Sequence, residues 1–277
     1  MTLRFSPNLS LLWANLPLAE RFERAAAAGF SAVELWWPGP LDAELLPELT
    51  RRHGLRLAAL NFDAGDMAAG DRGLTADPAR RDQFRANVPD ALRITSACGC
   101  TQLNALVGLR QERYPLEVQL ECALENVTWA ADQAAAAGAS LLIEAVNSKE
   151  NGPYLLTTSR AAADFIGQAG RANIRLLYDA YHLQRMEGDL TTAADACWPL
   201  IGHVQIADVP GRGEPGTGEI NYRFLLDYLD RRGYDGYIGL EYRPSGGNPE
   251  ESFGWLEEFG LPRGHHDHQA RQNGIKT

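Results

Sequence analysis

Two stretches decide the fold: Ser140-Leu141-Leu142-Ile143-Glu144-Ala145-Val146 and Ile174-Arg175-Leu176-Leu177-Tyr178-Asp179. Each is a short run of successive apolar residues that stops at an acid. Between them Ser159–Ala169 carries helical spacing. A strand that is apolar at successive rather than alternate positions is covered on both faces. Strand, helix and strand in that order make a parallel crossover unit.

Outward from this unit the same alternation runs along nearly the whole chain. Strands are expected at Leu3–Leu9, Ser31–Trp36, Leu55–Asn61, Gln102–Leu106, Ser140–Val146, Ile174–Tyr178, His203–Ala207 and Tyr237–Leu240. Helices are expected at Pro17–Ala28, Asp42–His53, Pro78–Ala97, Leu116–Ala137, Ser159–Ala169, Leu190–Cys197, Tyr222–Arg232 and Pro249–Phe259. Glycines at 29, 54, 138 and 233 stop four of them, and Asp77 with Pro78 starts another. Eight such pairs in 277 residues predict one closed α/β barrel, a (β/α)8 TIM barrel, over residues 1–260. No Gly-x-Gly-x-x-Gly turn follows the first strand, so the open dinucleotide-binding sheet has no fingerprint. The polar stretch 261–277, with His265, His266 and His268, reads as a flexible tail.

Composition narrows the function. With 45% hydrophobic and 22% charged residues, the chain is that of a globular protein. No run of about 18 apolar residues is present, so no membrane span is expected. The 26 basic and 36 acidic residues leave a net charge of −10, the wrong sign for a sequence-independent nucleic-acid binder. Four cysteines (Cys98, Cys100, Cys122 and Cys197) have neither zinc nor disulfide-framework spacing and read as reduced thiols. Met1–Pro7 lacks a charged-then-apolar leader, and the expected location is cytoplasmic. A homo-oligomer is compatible with all of this.

The chemistry lies where the apolar runs stop. In a barrel of this kind the working residues sit at the carboxyl ends of the strands. The fifth strand ends at Glu144, the sixth at Asp179 and the eighth at Glu241, while Gln205 lies in the seventh. Singly, each is as well read as a strand-end residue facing water or an arginine. Together they bring three charges and a carboxamide to one mouth, where unpaired carboxylates are costly. An all-oxygen set suits a hard divalent cation, Mg2+ or Mn2+. Such an ion polarises a carbonyl and acidifies the neighbouring carbon. Glu144 and Glu241, on non-neighbouring strands, then serve as the proton-transfer pair.

Around them, His182 is expected on a loop over the mouth, donating to a substrate oxygen. Arg212, amid the Gly- and Pro-rich stretch Asp208–Glu219, offers a fork to substrate oxygens. Glu150 is a further substrate-binding candidate, although a solvated loop charge reads nearly as well. Lys149 and Arg243 are weaker candidates for a carboxylate, and Trp13, Trp36 and Trp37 are placed to wall the pocket.

These residues have a family look. The stretch from His203 to Tyr222 resembles the hydroxypyruvate isomerase family of xylose-isomerase-like barrels. So do Ile143–Asn147, Tyr178–His182 and Gly236–Tyr242, in the same order. The resemblance implies a Mg2+ or Mn2+ site at Glu144, Asp179, Gln205 and Glu241, with Glu144 and Glu241 as acid/base pair and Glu150, His182 and Arg212 on the substrate. It implies conversion of hydroxypyruvate to tartronate semialdehyde, or of a 2-oxo-tetronate-type acid, by an enediolate proton transfer. The related ketose 3-epimerases usually carry histidine at the position of Gln205, which leans this chain toward the isomerases. Asn147–Asn151 departs from the pattern expected of that loop. Three other readings stay open: a ketose 3-epimerase or polyol dehydratase, a non-catalytic sugar-acid binder, and the apurinic-site nuclease branch. The last builds its site from many histidines, and outside the tail this chain has only His53, His182 and His203.

Overall fold

A computed structural model describes residues 3–262. The strands are β1 (Arg4–Pro7), β2 (Ala32–Leu35), β3 (Arg56–Asn61), β4 (Gln102–Asn104), β5 (Ser140–Glu144), β6 (Ile174–Asp179), β7 (Ile201–Ile206) and β8 (Tyr237–Leu240). All hydrogen-bonded neighbours are parallel, in the ring order β1-β8-β7-β6-β5-β4-β3-β2. The two ends meet through one parallel bridge, Asn8 to Glu34, with Leu9 N donating to Glu34 O at 2.8 Å. The chain therefore folds as the (β/α)8 barrel that its alternation predicts.

The helices cover the outside. They are α1 (Leu18–Ala27), α2 (Pro40–Ala43), α3 (Leu46–His53), α4 (Arg81–Cys98), α5 (Leu116–Ala136), α6 (Ser148–Asn151), α7 (Ser159–Ala169), α8 (Ala180–Met186), α9 (Leu190–Cys197), α10 (Tyr222–Arg231) and α11 (Gly254–Glu258). Each longer helix turns one apolar stripe inward. In α10 that stripe is Tyr222, Leu225, Leu226 and Leu229, spaced three and four apart. Asp77 accepts from Ala79 N at 3.0 Å, the cap its position predicts. Gly54 and Gly99 close α3 and α4 in the left-handed conformation that glycine adopts cheaply.

The expectations needed correction in places. The single helix Asp42–His53 is two, α2 and α3, separated at Glu44 and Leu45. The last helix shortens to a 3-10 turn, Glu251–Phe253, followed by α11. Where loops were expected after β5 and β6, the short helices α6 and α8 stand, α8 following β6 directly. The expected tail, 261–277, lies from residue 263 onward outside the described residues, as do its histidines.

The barrel's interior is layered. Side chains two apart share a strand face, so Leu142 lies below Glu144 and Leu177 below Asp179. Leu142, Leu177 and Ala59 form a small apolar cluster separate from the main core. Above this plug each strand contributes one buried polar side chain at or just past its carboxyl end. In chain order these are Asn8, Glu34, Asn61, Asn104, Glu144, Asp179, Gln205 and Glu241.

Candidate active site

Glu144, Asp179, His182 and Glu241 each place a ligand atom within 4.8 Å of the others, and all four are buried. Their surroundings assign different jobs to each oxygen. Asp179 caps α8: its Oδ1 accepts from Tyr181 N at 2.8 Å and His182 N at 3.3 Å. Its Oδ2 is left facing His182 Nε2 at 3.6 Å. Glu144 Oε2 accepts from Asn104 Nδ2 at 2.8 Å, while Oε1 lies 3.6 Å from the same imidazole nitrogen. Glu241 Oε1 accepts from Trp36 Nε1 at 2.8 Å and Asn8 Nδ2 at 3.1 Å, and its Oε2 pairs with Arg212 Nη2.

Burial and crowding move the titration of this group. Burial first, then the Glu241 and Asp179 carboxylates, pushes Glu144 well above the usual carboxylate range. Asp179 is raised mainly by burial, against the pull of Arg212. Burial likewise lifts Glu241 to about 7, with Arg212 opposing. His182 is held well below its ordinary value by burial and by Arg212 and Arg185, so its ring is neutral near pH 7.

The tautomer of His182 follows from its neighbour. Asn147 is the N-cap of α6 and its Oδ1 accepts from Glu150 N at 3.0 Å. That fixes the amide and turns Nδ2 toward His182 Nδ1, 2.7 Å away, and toward Glu150 Oε2 at 3.3 Å. His182 Nδ1 is thus an acceptor, and the ring proton of the neutral form resides on Nε2, facing the acids. An N–H cannot ligate a cation. His182 enters the cluster as a donor, from the first turn of α8 rather than from the expected loop.

Gln205 is fixed by the same kind of argument. Its Nε2 donates to Glu34 Oε1 at 2.6 Å and lies 3.4 Å from Glu241 Oε1. Two carboxylate acceptors on that side leave Oε1 on the other, where it is buried and without a partner. A buried carbonyl oxygen without a donor is costly. Three crowded carboxylates, with this oxygen on the residue paired in register with Asp179, are donor types that a hard divalent cation takes. The donor chemistry therefore fits a bound Mg2+ or Mn2+.

Arg212 is placed by a loop built on Asp208. The Asp208 carboxylate accepts from the backbone N–H groups of Val209, Gly216, Gly218 and Ile220 at 2.9–3.0 Å. Arg212 itself has φ +54°, a left-handed conformation costing a non-glycine residue about 1 kcal/mol. Its guanidinium lies over the Tyr181 ring, 5.2 Å from the centroid. Glu150 stands one step back: its Oε2 accepts from Tyr181 Oη at 2.6 Å, and its Oε1 is 3.7 Å from Arg185 Nη1. Of the three tryptophans, Trp36 lines the cavity, while Trp13 donates to Glu250 Oε1 at 2.9 Å.

The residue that sequence reasoning missed is Glu34. It is buried beneath the cluster, and donors converge on it from Ser6 Oγ, Asn8 Nδ2, His203 Nε2 and Gln205 Nε2 at 2.6–3.2 Å. Gly239 makes room for it; a Cβ there would collide with the Glu34 carboxylate. Above these residues the mouth opens into a cavity of about 290 Å³, lined by Glu144, His182, Arg212 and Glu241 among others. That volume is at the small end for ligand pockets, which suits a short metabolite.

A family model described as "Xylose isomerase-like TIM barrel" matches residues 22–259. The chain belongs to that family. It is 45% identical over 265 residues to a "Putative hydroxypyruvate isomerase" of Streptomyces coelicolor, covering 91% of this chain and 95% of the relative. It is 39% identical to the "Hydroxypyruvate isomerase" of Escherichia coli, covering 93% and 99%. It is 38% identical to the "2-oxo-tetronate isomerase" of Cupriavidus necator, covering 92% and 98%. Among solved structures, one described as "AP endonuclease, family 2 from Brucella melitensis" superimposes with TM-score 0.88 at 36% identity, covering 93% of this chain and 99% of that one. Among the described residues, this family member brings one histidine, His182, to its acid cluster.

Proposed function

We propose that the protein is a Mg2+- or Mn2+-dependent isomerase of a short hydroxy-oxo acid, interconverting hydroxypyruvate and tartronate semialdehyde or a related 2-oxo-tetronate-type acid. One observation carries the reading: two buried glutamates, Glu144 and Glu241, on either side of the ends of β6 and β7, converge with Asp179, and the neighbouring strand β7 carries the buried, unpartnered oxygen of Gln205. The names of the relatives support it. A cytoplasmic location is part of the same proposal.

Glu144, Asp179, Gln205 and Glu241 hold the cation, which when bound supplies Lewis-acid polarisation of the substrate carbonyl. Glu144 and Glu241 do the proton work. The reaction moves one proton from the hydroxymethyl carbon to the adjacent oxo carbon through an enediolate, while the hydroxyl proton passes to the former oxo oxygen as the aldehyde forms. One glutamate removes it and the other delivers a proton at the next carbon. Their raised proton affinity brings them toward the working pH, where a general acid or base is most effective. His182 Nε2–H donates to the oxygen on which negative charge develops. Arg212 offsets the charge of Glu241 and keeps its second oxygen oriented. Glu150 acts through Tyr181 and Asn147, setting the stack under Arg212 and the tautomer of His182.

The test is deuterium exchange. Purified protein with Mg2+ or Mn2+ and hydroxypyruvate in D2O is expected to place deuterium on carbon, read by proton NMR, with tartronate semialdehyde appearing in parallel. An absence of both exchange and conversion with hydroxypyruvate and with 2-oxo-tetronate-type acids contradicts the proposal.

A further inference from the structure

Three arginines line the cavity: Arg72, Arg212 and Arg243. Arg212 is committed to Glu241. The other two face the cavity without a carboxylate of their own. Arg72 is half-buried, and every acceptor that holds it is neutral: Asn151 Oδ1 on Nε at 2.8 Å, Met67 O on Nη1 at 3.0 Å and Asp71 O on Nη1 at 2.7 Å. These bonds brace two of the three guanidinium nitrogens and leave Nη2 without a hydrogen bond among the described residues. Arg243 is tethered by its backbone, N donating to Arg212 O at 2.8 Å, while its guanidinium makes no hydrogen bond or ion pair among the described residues.

Their placement matters as much as their charge. Arg72 follows β3 and Arg243 follows β8, so they bracket the sector of the mouth formed by β1 and β2, where Trp36 lines the same cavity. Arg212 follows β7, across the ring from Arg72. Two uncompensated guanidinium groups lining one small cavity, one of them braced with its Nη2 free to donate, suit a carboxylate reached from both sides.

We propose that Arg72 and Arg243 bind the carboxylate of the substrate, and that this pair makes the enzyme select hydroxy-oxo acids over neutral ketoses. The inference rests on the isomerase reading for the reaction, but not for the binding. It also explains registration. An acid such as hydroxypyruvate presents two oxygen pairs around its oxo carbon, carboxylate with oxo and hydroxyl with oxo. Only the second flanks the carbon–hydrogen bond that must break. A carboxylate drawn to Arg72 and Arg243 is kept from the Glu144, Asp179 and Glu241 cluster, and the hydroxymethyl end is delivered to the acid/base pair. Bracing by Asn151 lowers the ordering cost of the Arg72 contact. It also gives the loop after β5 a part in specificity.

The experiment compares hydroxypyruvate with dihydroxyacetone, which replaces the carboxylate by a hydroxymethyl group, using deuterium incorporation from D2O to obtain kcat/KM for each. The wild-type preference for the acid is expected to collapse by about 100-fold in the double variant R72Q/R243Q, as two charge-assisted contacts imply. The change should appear in KM for the acid. R72K, which keeps the charge but loses the bonds that brace the guanidinium and aim Nη2, is expected to fall between. Loss of both substrates in proportion, or an unchanged preference, overturns the proposal. Calorimetric titration with tartronate, with Mg2+ present in all arms, reads the clamp without turnover. Wild type binding tartronate more tightly than R72Q/R243Q supports the clamp even if no isomerisation is found, whereas equal binding overturns it.

Discussion

A neutral imidazole with its proton on Nε2 is a different tool from a ligating one, and at His182 the choice is made by a backbone amide. Glu150 N holds Asn147 Oδ1, which turns Asn147 Nδ2 onto His182 Nδ1. Replacing His182 by Gln is expected to lower kcat by about 100-fold, as for loss of a donor to a developing oxyanion. Affinity for Mn2+, read by paramagnetic titration, is expected to change less than about threefold. A fall in Mn2+ affinity as large as the fall in kcat would make His182 a ligand instead. Four of the eight polar residues above the plug were legible in the sequence, because Glu144, Asp179 and Glu241 end apolar runs and Gln205 falls in step with them. The same signal was present but weaker at Asn8, Asn61 and Asn104, which carry no charge. Glu34 reads as an ordinary polar residue within Ala32-Val33-Glu34-Leu35. Its partners Ser6, Asn8, His203 and Gln205 come from β7 and from the β1 segment, remote in sequence, and only closure of the ring brings them together.

At the scale of elements, the site depends on how strands end. β6 runs into α8 with no intervening loop, because Asp179 is both the last strand residue and the helix cap. That double duty hid α8 from sequence reading: a strand end predicts a loop, and Ala180-Tyr181-His182 carries no separate start signal. The strands and long helices were legible from periodicity and glycine stops, since both reflect burial. The loop after β7 was legible as a Gly- and Pro-rich stretch but not as to what orders it. That residue is Asp208, which satisfies four backbone N–H groups at once. Asp208→Ala leaves those amides without their acceptor and frees the loop that holds Arg212 in its left-handed conformation. The expected cost is at least about 2 kcal/mol in chemical denaturation, with a loss of kcat/KM larger than in Arg212→Lys, which keeps a charge at that position. A variant as stable and as active as wild type would remove Asp208 from the account.

For the whole molecule, the acid cluster is a stored charge problem that a cation relieves. In the metal-free protein Glu144, Asp179 and Glu241 all bind protons more tightly than they would in the unfolded chain. The sign then follows: these three acids hold more protons folded than unfolded, so their contribution to stability is greatest below the ordinary carboxylate value of 4.5 and falls as pH rises toward and through about 7, the value to which Glu241 is lifted, while the depressed His182 acts in the opposite direction as one group against three. In EDTA, Tm is expected to drop between pH 5 and pH 7.5. Saturating Mn2+ should restore it, most at the higher pH, because binding displaces those protons. A metal-free Tm that is flat or rises over that window contradicts the electrostatic account.

The most direct measurement is anomalous diffraction at the manganese edge from crystals grown with MnCl2 and tartronate. The account predicts one peak within bonding distance of Glu144, Asp179, Glu241 and the Oε1 atom of Gln205, with His182 Nε2 outside the coordination sphere. No peak among these residues, or a peak coordinated by His182 with Gln205 turned away, would contradict it.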